Sequence, residues 1–134
     1  MTRIRFGALG DYPDLLAFDE FIGDRRLNLQ AGQLLVAEDG DGRAVGYLRT
    51  SPIEFLGWPL LALLCVRVDY RRRGAGQALV RAALSDGRFP RLYVTTEPEN
   101  DPMLGLLRKV GAEAIGHADR LTFDGGRELL FRLK

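Results

Sequence analysis

A chain of 134 residues, 46% of them apolar and 28% charged, has the size and composition of one soluble domain with its own core. The formal charge of +1 excludes a general attraction to nucleic acid, and a single cysteine, Cys65, excludes an internal disulfide framework. No run of about 18 apolar residues is present to span a membrane, and MTRIRF lacks the apolar stretch of a secretory signal. One domain over residues 1–134 in the cytoplasm is therefore expected, with no membrane partner.

DYPDLLAFDEFI, residues 11–22, places Leu15, Leu16, Phe18, Phe21 and Ile22 on one helical face, and a short second helix is expected within 24–32. LLVAEDGDGRAVGYLRTS reads as two strands around an Asp/Gly turn at 39–42. An irregular connection, PIEFLGWP at 52–59, then leads into LLALLCVRV, whose unbroken apolar character fits a central strand covered on both faces. GAGQALVRAALSDG predicts a helix turning Ala78, Leu79, Ala82, Ala83 and Leu84 inward, and RLYVTT predicts a strand. A short helix over 101–110 stops at Gly111. AEAIGHADRLTF and RELLFRLK predict two closing strands joined at Asp124-Gly125-Gly126. The fold class is α/β, a mixed central sheet flanked by helices.

The segment richest in chemistry is VRVDYRRRGAG, residues 66–76, an apolar strand that enters a basic loop and opens a helix. A helix start presents unpaired N–H groups and a favourable field to an anion. Gly74 and Gly76 allow the backbone to approach a phosphate closely, and Arg71, Arg72 and Arg73 can add charge-assisted hydrogen bonds. The plain alternative is a solvated strand-helix turn. The loop is neither a Walker A motif nor a dinucleotide fingerprint, since residue 79 is Leu79 where the latter needs glycine.

VRVDYRRRGAGQALV resembles the coenzyme A-binding signature of the GCN5-related N-acetyltransferase (GNAT) family, whose R/Q-x-x-G-x-G/A pattern falls on Arg71, Gly74 and Gly76. The resemblance implies a GNAT-like fold with a strand-loop-helix acyl-CoA site. It gives the pyrophosphate to the backbone of Arg71, Arg72, Arg73, Gly74, Ala75, Gly76, Gln77 and Ala78. It also implies a strand that splays from its neighbour, with Val66 closest to the thioester and Val68 along the pantetheine arm. VTTEPENDPMLGLLRKVGAEAIG resembles the family's second cofactor region, which aligns Asn100 with a pantetheine contact. Acetyl-CoA or another short acyl-CoA is the cosubstrate so implied, with no metal.

Acyl transfer to an amine needs an uncharged nucleophile, a polarised thioester carbonyl and a proton for the leaving sulfur. The Val66 amide can hydrogen bond the carbonyl as charge develops on it. Glu97, at the end of RLYVTT, is a candidate base and otherwise a solvated helix-entry residue; Tyr93 is a candidate donor. The family's usual tyrosine falls on Leu107, which has no proton to give, and Ala112 replaces the usual aromatic residue. Cys65 reads as a buried small hydrophobe, Tyr70 as packing, and His117 as no metal ligand.

The acceptor is expected opposite the pyrophosphate, near the first helices and residues 50–59. Phe55 and Trp58 either line its pocket or cover the sheet edge. Asp19, Glu20, Asp24 and Glu54 would attract a cationic amine if they converge. The implied function is an N-acetyltransferase acting by direct attack of a small-molecule, peptide or protein amine, with a homodimer compatible with the apolar late strands. The alternative is an acyl-CoA-binding sensor or interaction domain without catalysis. Nucleic acid is not an expected partner, because the basic cluster is confined to one turn and no aromatic residues interleave with it.

Overall fold

A computed structural model describes residues 2–134. Seven strands form one sheet in the order β1-β2-β3-β4-β5-β7-β6. They are β1 (Arg3–Phe6), β2 (Leu34–Glu38), β3 (Ala44–Phe55), β4 (Trp58–Val66), β5 (Tyr93–Thr96), β6 (Glu113–Asp119) and β7 (Arg127–Arg132). Only β4 and β5 run parallel; the other neighbours are antiparallel. Helices α1 (Tyr12–Phe18) and α2 (Arg26–Gln30) cover one face, and α3 (Ala75–Leu84) and α4 (Asp101–Lys109) cover the other. The mixed sheet flanked by helices is the fold class expected.

The unbroken apolar run of β4 is explained by this double cover. Leu61, Leu64 and Val66 pack with Leu79, Val80 and Leu107 of α3 and α4. Leu63 and Cys65 pack instead with Leu15 and Tyr47 beneath α1. Each fully buried aliphatic side chain contributes on the order of 1.5–3 kcal/mol.

The Asp/Gly turn between β2 and β3 forms as expected, because Asp39 Oδ1 accepts from the amides of Asp41 and Arg43 at 2.8 and 3.0 Å. The irregular connection at 52–59 does not form. β3 runs on to Phe55, pairs Phe55 with Trp58, and reverses at Leu56-Gly57, both at positive φ. Proline at 52 and glycine at 57 obscured a long hairpin.

Helix α1 is also shorter than residues 11–22. It ends at Phe18 because Asp19 turns to extended backbone and gives its carboxylate to Tyr47 and Arg25. Phe21 and Ile22 are consequently exposed rather than on a helical face. In α3 the buried residues are Ala75, Leu79, Val80 and Ala83, and the expected Ala82 and Leu84 pack half-buried against the same core; Val80 is an inward position not foreseen. β6 stops at Asp119, four residues short of Phe123, since Arg120 adopts positive φ and its amide bonds Gly126 O across the turn.

Candidate active site

Two register features open the middle of the sheet. Between β3 and β4 the partners step from Arg49↔Leu63 to Thr50↔Leu61, so Ala62 is an extra, bulged residue. At the same point β4 parts from β5, whose pairing is confined to Leu60↔Tyr93 and Leu61↔Val94. Beyond the bulge β4 continues against β3 alone.

The antiparallel alternation then decides which backbone groups face the opening. Arg67 N donates to Val45 O at 2.8 Å, which makes Gly46↔Val66, and by alternation Leu48↔Leu64, non-hydrogen-bonded pairs. The N–H and C=O groups of Leu64 and Val66 therefore point away from β3, into the seam that β5 has left. Unpaired sheet backbone of this kind is a ready template for an extended ligand.

The strand ends at Val66 rather than Val68. Val68–Tyr70 form a 3₁₀ turn in which Val68 is 73% exposed. The loop then passes through positive φ at Arg72 (64°) and Gly74 (85°), and Gly74 is the N-cap of α3. No side chain caps this helix, and its first recorded bond is Ala78 N to Gly74 O at 2.9 Å. The amides of Ala75, Gly76 and Gln77 thus remain as donors at a helix N-terminus. A Cβ at Gly76 would meet Leu64, Val66 and Leu106 side chains at 3.8–3.9 Å, ordinary contact, so internal packing does not require glycine there.

The three arginines have different surroundings. Arg71 folds back: Nε donates to Val66 O at 2.8 Å and Nη2 pairs with Glu20 of the α1–α2 loop. Arg73 lies over the Tyr70 ring, with Arg67 over the same ring, at 5.2 and 4.9 Å. This confirms packing for Tyr70. Arg72 has neither a hydrogen bond nor an ion pair among the described residues.

Glu97 follows β5 directly and is exposed. Counted from Leu61↔Val94 with the bulge included, it stands level with Leu64 and Cys65 across the seam. It shares a cleft with Glu99, Thr122, Asp124 and Arg127. Tyr93 is elsewhere: it pairs with Leu60, on the order of 17–20 Å along β4 from Val66. Its ring stacks on Phe55 at 4.7 Å, and Arg91 covers Trp58 at 4.0 Å, so both hairpin aromatics pack against the start of β5. Asn100 Oδ1 caps α4 by accepting from Met103 N at 3.2 Å. Leu107 is 1% exposed in the main core.

The four acidic residues of the acceptor side do not converge. Asp19 is buried, accepting from Tyr47 Oη at 2.7 Å and from Arg25 Nε at 3.0 Å. Asp24 binds Arg26, whose hydrogen bonds hold its carboxyl near 2. Glu54 lies 3.8 Å from Arg49. Burial pushes the Cys65 thiol up to about 11, and its Sγ lies 3.8 Å from Phe18 O, an inert packing position. His117 sits on edge strand β6 beside Asp119 at 3.2 Å. The bulge at Ala62 and the Glu20–Arg71 pair were not foreseen; neither has a local sequence signal, because each joins segments distant along the chain.

The family model for acetyltransferases of the GNAT family matches residues 5–112. Mycothiol acetyltransferase of Mycolicibacterium vanbaalenii is 36% identical over 97 residues, covering 70% of this chain and 31% of that protein. The chain spans less than a third of the length of the curated relatives it matches. Among solved structures, a GNAT acetyltransferase from Bacillus cereus superposes with a TM-score of 0.87 at 20% identity, covering 100% of this chain and 97% of the other. A chain of the NatC complex, solved with Gag peptide and CoA, gives a TM-score of 0.78 at 17% identity, covering 98% and 97%. At these identities the structural likenesses concern the fold.

Proposed function

The chain belongs to the acetyltransferase (GNAT) family, and on that premise we propose that it transfers acetyl from acetyl-CoA to a primary amine by direct attack. The observation that carries this reading is the continuity of two backbone surfaces without backbone partners, the seam at Leu64 and Val66 and the uncapped start of α3. A long ligand with a polar arm and an anionic middle fits both. When bound, acetyl-CoA supplies the acyl group as an activated thioester.

In this reading the amides of Ala75, Gly76 and Gln77 hold the pyrophosphate, with Arg72 and Arg73 adding charge; the amides of Arg71 and Ala78, expected to join them, are taken by Val68 O and Gly74 O. Val66, Val68 and the Asn100 amide nitrogen border the pantetheine arm. The Val66 N–H polarises the thioester carbonyl. Glu97 orients the amine or accepts its proton. Leu107 offers no proton, so the leaving sulfur draws one from water or from the acceptor. Tyr93, at the far end of the seam, has a packing role. A relative named for mycothiol and a neighbour solved with a peptide keep small-molecule and peptide amines both within the reading.

A coenzyme-binding domain without catalysis is the second reading, favoured by the leucine at 107. Calorimetric titration with CoA tests the first step. Saturable binding by wild type, lost in a folded Arg72→Glu/Arg73→Glu variant, is expected, since neither arginine carries a hydrogen bond of the fold. Folded wild-type protein that binds no CoA would sink the coenzyme assignment. Binding with no turnover across amine classes would favour the second reading.

A further inference from the structure

Arg71 is held by two groups that belong to different halves of the site. Its Nε donates to the carbonyl of Val66, which faces the seam, and its Nη2 pairs with Glu20, which lies on the α1–α2 loop. One guanidinium thus spans the gap between them, and the Glu20 carboxylate stands within that span of the Val66 carbonyl. Both side chains of the pair are solvated, at 44% and 59% exposure, so the contact is weak and exchangeable.

The position of Glu20 is not accidental to a floppy loop. Its neighbour Asp19 is locked into the core by Tyr47 and Arg25, and Tyr47 pairs across the sheet with Cys65, next to Val66. Phe21 N also donates to Asp19 Oδ1 at 3.0 Å. The backbone on both sides of Glu20 is therefore fixed at the level of Val66. Asp19 and Asp24 have arginine partners close by in the chain, Arg25 and Arg26, whereas Glu20 is paired with the anion-binding loop across the seam.

We propose that Arg71 is a latch between the two substrates: the coenzyme pyrophosphate takes Arg71 from Glu20, and the freed Glu20 carboxylate receives the ammonium of the acceptor beside Val66. The argument rests on the coenzyme reading above. A pyrophosphate offers several anionic oxygens at an uncapped helix start and outcompetes one exposed carboxylate for a guanidinium. Withdrawal of Arg71 also frees the Val66 carbonyl for the polar arm of the coenzyme. The α1–α2 side of the cleft becomes anionic only when coenzyme is present, which favours binding of the amine after it.

The test is a calorimetric cycle with CoA on wild type, Glu20→Gln, Arg71→Gln and the double variant, each checked for folding by circular dichroism. Loss of Glu20 removes the competitor for Arg71 and should tighten CoA by about two- to five-fold, the scale of an exposed ion pair. That gain should vanish in the Arg71→Gln background. An unchanged affinity for Glu20→Gln, or the same gain in both backgrounds as expected of simple charge removal, overturns the latch while leaving the coenzyme site intact. No binding by wild type overturns both. The hand-over is read with n-butylammonium as the probe, followed by the side-chain carboxyl ¹³C signal of Glu20 and by amide shifts around Val66. A response at Val66 present only with CoA bound, and lost in Glu20→Gln, is expected. A response independent of CoA or of Glu20, or none at tens of millimolar probe, overturns it.

Discussion

Asp11 shows how a single side chain fixes the approach to the site. Its carboxylate accepts from Arg5 Nη1 and Nη2 at 2.9 and 2.7 Å and from Ala8 N at 2.8 Å, while Arg5 also binds Glu38. The pair ties β1 to the entry of α1, the helix whose far end carries Asp19 and Glu20. Hydrogen bonding by Arg5 holds the Asp11 carboxyl below its ordinary value. A group depressed in this way stabilises the fold fully above its unfolded pKa, near 3.9, and loses that contribution as pH falls through the folded value. Asp11→Asn should therefore cost about 1–3 kcal/mol at neutral pH. Urea unfolding of the two proteins should show the gap persisting down to about pH 5 and closing progressively below it. A gap of equal size in strong acid would mean that packing of the side chain, not its charge, matters.

At the scale of elements, the strand-loop-helix was legible because its signals are local. An apolar run, a cluster of arginines and two glycines in a G-x-G lie within eleven residues; the helix forms where the sequence places it, and the strand ends two residues early, at Val66. The two glycines nevertheless do different things. Gly74 is required by its backbone, at φ 85°, and has open space where a Cβ would be. Gly76 has no such strain, and its Cβ would fit against Leu64, Val66 and Leu106. Gly74→Ala should destabilise the fold by about 1 kcal/mol through the left-handed backbone it demands. Gly76→Ala should leave stability unchanged or raise it by up to about 1 kcal/mol, from helix propensity. The same Gly76→Ala change should leave CoA binding nearly unchanged, because the added methyl faces Leu64, Val66 and Leu106 and the family's pattern accepts alanine at this position. Thermal melts and CoA titrations of both variants check this; a Gly76→Ala protein that is destabilised or loses CoA binding contradicts the division.

The opening of the sheet belongs to the whole molecule; the resemblance implied that the strand splays from its neighbour, but the place where it parts was not readable beforehand. Six of the seven strands and the mixed character of the sheet follow from element order and hydrophobic pattern, whereas β1 and the parallel β4–β5 pairing were not foreseen. The bulge at Ala62 does not follow from that pattern either, since LLALLCV gives one apolar residue no mark that distinguishes it from its neighbours. Which of them is extra is decided by the registers of two other strands, and so is the direction in which each amide points. The hairpin tip at Leu56-Gly57 was missed for the same reason, its partner strand being needed to define it. Opening the seam exposes backbone along the centre of the molecule, where a sheet is ordinarily most protected. Native-state hydrogen exchange should therefore alternate along β4: the amides of Leu63 and Cys65, bonded to β3, exchange slowly, and those of Leu64 and Val66 exchange faster by at least an order of magnitude. On saturation with CoA, the Val66 amide should become protected while Leu63 and Cys65 change little. Uniform protection of all four amides in the free protein would mean that β5 closes onto β4 in solution, and that the coenzyme must part the strands rather than enter an existing seam.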